Sequence, residues 1–322
     1  MLKYTARKLL ALIPKLLVIM LICFLFMELL PGDALSRTMD PMTYNELTEA
    51  QREAKREEMG LNDPAPIRFF RWLFNVIRGD LGVSAVTGEP VKDILAVTMK
   101  FSMELTAWAL VLSTIIGIIA GFITAVFKNT VLDYTIGTVS IIGISLPEFF
   151  FGLMFIIIFC LKWPIGLPSS GRMPPGNMDP TFWERVPYMI LPIATLVFNM
   201  VAGLQRYTRT TMLDVLSQDY IRTARAKGLS RSKIYYKHAL KNTLSIVGTM
   251  IAGSIAGMIG GASVTEKVFN IQGMGTLTVG SLGSRDYPQE QAIVLFSAFL
   301  FLFLELGLDI MYKLLDPRIE YD

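Results

Sequence analysis

The sequence predicts an all-α, polytopic membrane protein, and three observations carry that prediction. Hydrophobic residues make up 52% of the 322 and charged residues only 18%, a balance that suits an integral membrane chain better than a soluble two-domain one. Apolar stretches recur along the chain, each long enough at about 1.5 Å per helical residue to cross ~30 Å of hydrocarbon. Lys and Arg gather in alternate connections, as they do in cytoplasmic loops.

The first predicted span covers residues 9–30, carries Lys15 inside it and follows a basic start of Lys3, Arg7 and Lys8. A cleaved signal peptide would share that start. This apolar run, however, outlasts the ~7–15 residues of a signal core, and LLPGDAL offers no A-x-A-like cleavage site. The second span is 105–127. The third, 134–163, is interrupted by Pro147 and is too long for a straight perpendicular helix, so a kink or tilt is expected. Residues 187–204, 245–262 and 292–312 complete a set of six transmembrane helices.

Six crossings put both termini on one side, and the basic residues agree. Lys3, Arg7 and Lys8, then Lys128, the loop after the fourth span, and Lys313 with Arg318 all fall on that face, which the positive-inside rule makes cytoplasmic. Residues 31–100 hold eleven acids and nine bases. With no basic excess, that segment is expected outside. The organisation is therefore a tail and first span (1–30), an extracellular segment (31–100) and a five-span core (101–322) with a cytoplasmic loop at 214–241. Within the outer segment, YNELTEAQREAKREEMG is a charged stretch whose spacing suits a solvated helix.

The loop at 214–241 is the most informative part of the chain. Across residues 204–241, nine bases (Arg206, Arg209, Arg222, Arg225, Lys227, Arg231, Lys233, Lys237, Lys241) face only Asp214 and Asp219. The stretch 219–244 has the pattern of two helices joined at Gly228, where a helix-ending glycine with positive φ is expected. Such a turn would present residues 222–227 as a short helix end projecting into the cytoplasm.

The string TARAKGLS, with HALKN beginning ten residues after Gly228, resembles the cytoplasmic coupling loop of ABC-importer permeases in the dipeptide/oligopeptide/nickel family. The wider importer family writes this loop as EAA, three residues and Gly, then an Ile-x-Leu-Pro. Here Arg222, Thr223 and Ala224 occupy the EAA positions and Gly228 keeps the glycine, while His238, Leu240 and Lys241 replace Ile, Leu and Pro. These departures match the peptide-importer version. RWLFNVIRGDLGVS, VTEKVFNIQGMGTL, SRDYP and LDPR resemble further signatures of the family, with Gln272 where proline is usual and Glu305 where Asn is usual. The likeness extends from Leu30 to the C-terminus.

The resemblance implies a permease subunit in a prokaryotic cytoplasmic membrane. Its implied partners are a second, homologous permease, two ATP-binding subunits, an extracellular substrate-binding lipoprotein and a peptide substrate. Asp219, Arg222, Thr223, Ala224, Arg225, Ala226, Lys227, Gly228 and Leu229 are the residues it implicates in coupling to the ATPase. It also implies that residues 31–91 dock the receptor, an alternative to a plain surface helix.

The chain itself shows no catalytic constellation. Its one histidine, His238, excludes an H-E-x-x-H zinc site, and no G-x-x-x-x-G-K-[ST] cradles ATP phosphates. No cofactor is expected here; ATP and Mg would belong to partner subunits. Cys23 and Cys160 lie in apolar spans and suggest neither a disulfide nor a metal motif.

Gly253, Gly257 and Gly261 recur every four residues in the fifth span, and Gly117 and Gly121 in the second. Such spacing lets helix backbones approach closely in lipid; in the fifth span it would equally line a permissive pathway. Glu305 and Asp309 stack one turn apart in the sixth. Each costs about 2.5–3.5 kcal/mol at mid-bilayer, so they face protein, either paired structurally or acting in gating or contact with a cationic cargo.

The sequence thus reads as the permease of an ATP-driven importer of peptides. A nickel or metal-chelate importer is the nearest alternative. An ion-coupled secondary transporter would leave the coupling loop unexplained, and nucleic acid is not an expected partner.

Overall fold

The computed structural model describes residues 2–29, 33, 35–177, 180–257 and 262–315. In chain order its helices are α1 (Leu2–Leu29), α2 (Pro41–Glu46), α3 (Glu49–Glu58), α4 (Ala65–Ile77), α5 (Val91–Val126), α6 (Val131–Ser145), α7 (Glu148–Ile156), α8 (Phe182–Leu216), α9 (Asp219–Ala226), α10 (Arg231–Lys233), α11 (Lys241–Gly257), α12 (Ser263–Val268), α13 (Met274–Ser284) and α14 (Tyr287–Leu315). A π-helical stretch, Ile157–Lys162, prolongs α7, and another, Ile234–Leu240, joins α10 to α11. Among the described residues the β content is one isolated bridge, Val83 to Pro90.

Among the described residues four helices are long and apolar enough to cross a membrane: Arg7–Phe26, Val91–Val126, Phe182–Leu216 and Tyr287–Gly307. The third expected span is two helices, α6 and α7 with its π extension, bent by 105°. Leu146 precedes Pro147 and is extended (φ −99, ψ 142), because the proline ring disfavours a helical residue before it. The fifth expected span corresponds to α11 as far as Gly257; residues 258–261 lie outside the described set.

Two spans are longer than their apolar cores. Helix α5 starts at Val91 rather than near Leu105, and α8 starts at Phe182, where the Thr181 N–H donates to Glu184 Oε2 at 2.8 Å. Pro187 and Pro192 lie inside α8 without ending it. At 35 residues α8 is about 52 Å long, so it carries Arg206 and Arg209 as helix rather than loop.

The chain forms two compact units. The first is Met1–Phe101 with Gly273–Ile310. In it α4 packs on α1: the Phe24 ring lies 5.4 Å from Phe69 and 6.3 Å from Trp72, and Arg68 pairs with Glu28 at 2.5 Å. The charged helix α3 pairs its acids and bases at i, i+3, Arg52 with Glu49 at 2.7 Å and Arg56 with Glu53 at 2.8 Å. Arg56 also grips Asp33 through two nitrogens at 2.8 and 3.1 Å. That guanidinium, with the Tyr44 hydroxyl, holds the Asp33 carboxyl below the usual carboxylate range.

GDLGVS turns the chain through Gly79 and Gly82, at φ 81 and 84. The Asp80 carboxylate accepts the Gly82 N–H at 3.0 Å. Ser84 then donates its hydroxyl to Asp286, which also accepts the Ala85 N–H at 3.1 Å. Asp286 is buried and lies within SRDYP, so two separated sequence signatures meet in one hydrogen-bonded knot.

The second unit is Ser102–Gln272 with Met311–Asp322. Its centre is α8, against which α6, α7 and α11 pack. Glycines allow close approach there. A Cβ on Gly121 would fall 2.8 Å from the Gln205 carbonyl oxygen and 2.5 Å from Thr208 Cβ, one on Gly117 2.9 Å from Leu204, and one on Gly143 2.8 Å from Ala202 Cβ. Asp133, at the start of α6, receives two bonds of 2.7 Å from the Arg209 guanidinium on α8.

The second-span glycines therefore act by packing. In the fifth span Gly253 has nothing within 4 Å of a would-be Cβ, so it is not a close-approach glycine within this chain. Gly257 ends α11, and Gly261 lies outside the described residues.

Replacing Gly121 by Ala should destabilise the protein by about 1–3 kcal/mol, because the obstructing backbone carbonyl cannot rotate away. Gly253→Ala should be neutral or stabilising by up to ~1 kcal/mol, since an exposed helical glycine gains from a Cβ. Melting temperatures of both variants in one detergent check this; equal melting would contradict the packing role of Gly121.

Candidate functional site

Helix α9 is amphipathic at the scale of two turns. Ile221 and Ala224 are buried, while Asp219, Arg222, Thr223, Arg225, Ala226 and Lys227 are exposed. The two buried residues enter a cluster with Ala125 from α5, Met212 and Val215 from α8, and Ile234 and Ala239 from the π-helical stretch. Fully burying a side chain such as Ile221 contributes about 1.5–3 kcal/mol. The short helix is thus fastened by its apolar face and turns its polar face outward. Arg222 pairs with Asp219 at 3.5 Å, but both are so exposed that the pair adds little.

Gly228 ends this helix at φ 71, the left-handed conformation expected of a terminal glycine. The Leu229 N–H donates back to the Ala224 carbonyl at 3.3 Å and the Gly228 N–H to Arg225 at 3.0 Å. That pair of bonds closes the helix end, and Leu229 packs onto the same apolar cluster. Nothing lies within 4 Å of a would-be Gly228 Cβ, so the need for glycine is conformational. Ser230 then caps the next helix by accepting the Lys233 N–H at 3.4 Å. Asn242 on α11 donates to the Tyr220 hydroxyl at 3.0 Å and ties α9 to the following span.

Of the residues singled out in the loop, Ala224 and Leu229 are anchors and the others form the free face. Ile221, Tyr220 and Asn242 complete the device. A helical reading of DYIRTARA, with apolar residues three apart at Ile221 and Ala224, signals the buried face; the Tyr220–Asn242 bond has no local signature.

A second feature of this unit is a cleft of about 170 Å³. Its polar and thioether lining comes from Ser113 and Thr114 on α5, Asn199 and Met200 on α8, and Met250 and Ser254 on α11. Gly253 is next to it in sequence and exposed. Asn199 is held by donating to the Gly143 carbonyl at 3.1 Å. In the other unit, Glu305 pairs with Lys15 on α1 at 3.6 Å, so these two ionisable span residues meet each other. The Asp309 side chain lies outside the described residues. Among the described residues no group of three or more His, Cys, Asp or Glu is placed to hold a metal ion.

Helices of membrane length, with a short helix fastened by its apolar face and exposing its polar one, define an integral membrane protein. Residues 114–321 match the family described as binding-protein-dependent transport system inner membrane component, and the chain belongs to it. It is similar to the oligopeptide transport system permease protein AppB of Bacillus subtilis (strain 168), at 38% identity over 99% of each chain. It is also similar to the glutathione transport system permease protein GsiC of Escherichia coli (strain K12), at 36% identity over 100% of each. A crystal structure of an amino acid ABC transporter with histidines has a TM-score of 0.53 at 10% identity, covering 69% of this chain and 94% of that one. That likeness is one of fold.

Gly228→Val should disrupt the turn, because a β-branched residue tolerates φ 71 poorly, whereas Gly228→Asn should largely preserve it. With both variants reaching the membrane normally, the Val form is expected to lose ATPase co-purification and most uptake and the Asn form to retain both. Equal behaviour of the two would refute the conformational role.

Proposed function

We propose that this chain is the permease subunit of an ATP-driven importer that moves short peptides into the cytoplasm. The observation that carries the proposal is the α9 device: an apolar underside locked to α5, α8 and the π-helical stretch, and a free polar face from Asp219 to Lys227. A helix so fastened passes a push on its outer face directly into two spans. The partner that pushes is an ATP-binding subunit, which also carries ATP and Mg; two of these, a second homologous permease and an extracellular binding lipoprotein make up the complex.

The cleft between α5, α8 and α11 forms one wall of the pathway, with Gly253 beside it, and the second permease supplies the facing wall. Hydroxyls, an amide and methionines make that wall accommodating rather than selective. Such a lining suits peptides, whose backbones carry many hydrogen-bonding groups and whose side chains vary. The relatives named for oligopeptide and glutathione transport favour peptide over a metal chelate. Glu305, paired with Lys15, serves a structural role between α1 and α14.

In a reconstituted complex with its own receptor, ATP-dependent accumulation of labelled di- to octapeptides is the expected result. Accumulation of nickel or a chelate alone, without competition by peptide, would overturn the cargo assignment.

Both termini and Arg225 face the cytoplasm in this scheme, and Glu57 and Arg285 face outward. With Cys23 and Cys160 replaced, an impermeant thiol reagent on intact cells should label Glu57→Cys and spare Arg225→Cys. The opposite pattern would invert the topology.

A further inference from the structure

Helix α4 has two apolar faces, and among the described residues one of them packs within the chain. Phe69 and Trp72 pack on Phe24 of α1. Ile67, Phe70, Phe74 and Ile77 instead lie within about 80° of one another on a wheel of 3.6 residues per turn, and they are 51%, 65%, 53% and 71% exposed. Four large apolar side chains exposed in one stripe are not expected of a helix standing in water. Along one border of the stripe run Arg71, Asn75 and Arg78, all exposed; Arg71 is engaged by Asp63 at 2.5 Å. The Arg78 guanidinium lies 4.0 Å from the Phe74 ring centroid.

The height of this helix is set by its partner. Phe24 and Glu28, which α4 contacts, lie at the end of the apolar span Arg7–Phe26. Around them Leu21, Leu25, Phe26 and Leu29 are 42%, 45%, 69% and 81% exposed. The α4 stripe therefore belongs to a helix docked at the end of that apolar span, the level at which hydrocarbon gives way to headgroups when such a span crosses a bilayer. A helix with an apolar stripe, a cationic border and this depth has the composition of one lying in the plane of a bilayer surface.

We propose that α4 is an interfacial helix: Ile67, Phe70, Phe74 and Ile77 sink into the leaflet in which α1 ends, and Arg78 meets a phospholipid phosphate. The occupant of the stripe is lipid. The helix thereby fixes the outer segment to the membrane surface and holds α3 and the GDLGVS turn at a constant height above it.

The test uses the complete transporter in vesicles of phosphatidylethanolamine and phosphatidylglycerol, with Cys23 and Cys160 replaced. Bimane is attached in turn to Ile67→Cys, Phe70→Cys, Phe74→Cys, Ile77→Cys and, as an exposed control, Glu57→Cys. Lipids spin-labelled near the headgroup should quench the four stripe positions at least about twofold more than the control, while aqueous iodide should quench the control and spare the stripe. Four positions keep the result readable if one variant fails to assemble. Iodide quenching of the stripe equal to the control would overturn the proposal. So would shielding without lipid quenching, which would mean a second permease covers the face, and so would shielding that appears only when the receptor is added.

Discussion

The fold of the larger unit depends on how closely helices can approach α8. In lipid no hydrophobic driving force draws one helix to another, so association rests on van der Waals contact and hydrogen bonds at short range. Gly117, Gly121 and Gly143 remove the side chains that would hold α5 and α6 away from Leu204, Thr208 and Ala202. Once the backbones are that near, Gln205 reaches Thr124 at 2.9 Å and Arg209 reaches Asp133. The polar contacts are consequences of the glycines, because a displacement of one methyl group would lengthen each beyond bonding distance.

The α9 device follows from the same axis. Helix α8 continues past its apolar core, and its last turns bring Met212 and Val215 beside Ala125 of α5. That corner gives an eight-residue helix such as α9 its apolar support, since isolated helices of this length are marginal in water. Ile221 and Ala224 supply the apolar contact, and Gly228 returns the chain toward α11 without strain. Arg222, Arg225 and Lys227 stay exposed on its other face.

The segment between α1 and α5 is organised on a different principle. Its short helices have almost no apolar core of their own and are held by charge and by α1: Asp33 with Arg56, Glu28 with Arg68, Phe24 with Phe69 and Trp72. Ser84 and Asp286 close the same unit from the other end. Loss of any one of these contacts would act on a local tether rather than on the helix bundle around α8.

The chemistry of single residues was enough to read an all-α membrane chain, and the family followed from the resemblance of TARAKGLS and HALKN. Composition marked a membrane chain, the basic stretch marked the loop around Gly228, and that glycine's left-handed turn follows from its lack of a Cβ. The second-span glycines were legible as packing residues for the same reason. Pairing was not legible, because it depends on which helices become neighbours: Arg209 with Asp133, Tyr220 with Asn242, Ser84 with Asp286, and Lys15 with Glu305 are separated by 76, 22, 202 and 290 positions, the last being 305 minus 15. The 105° bend after Leu146 was foreseen only as a kink, since proline dictates the break while the surrounding helices set the angle. Likewise the apolar spans marked where hydrocarbon begins and ends but not where helices do. Backbone hydrogen bonding continues past the membrane boundary wherever tertiary contacts cover it, and only the packed structure contains those contacts.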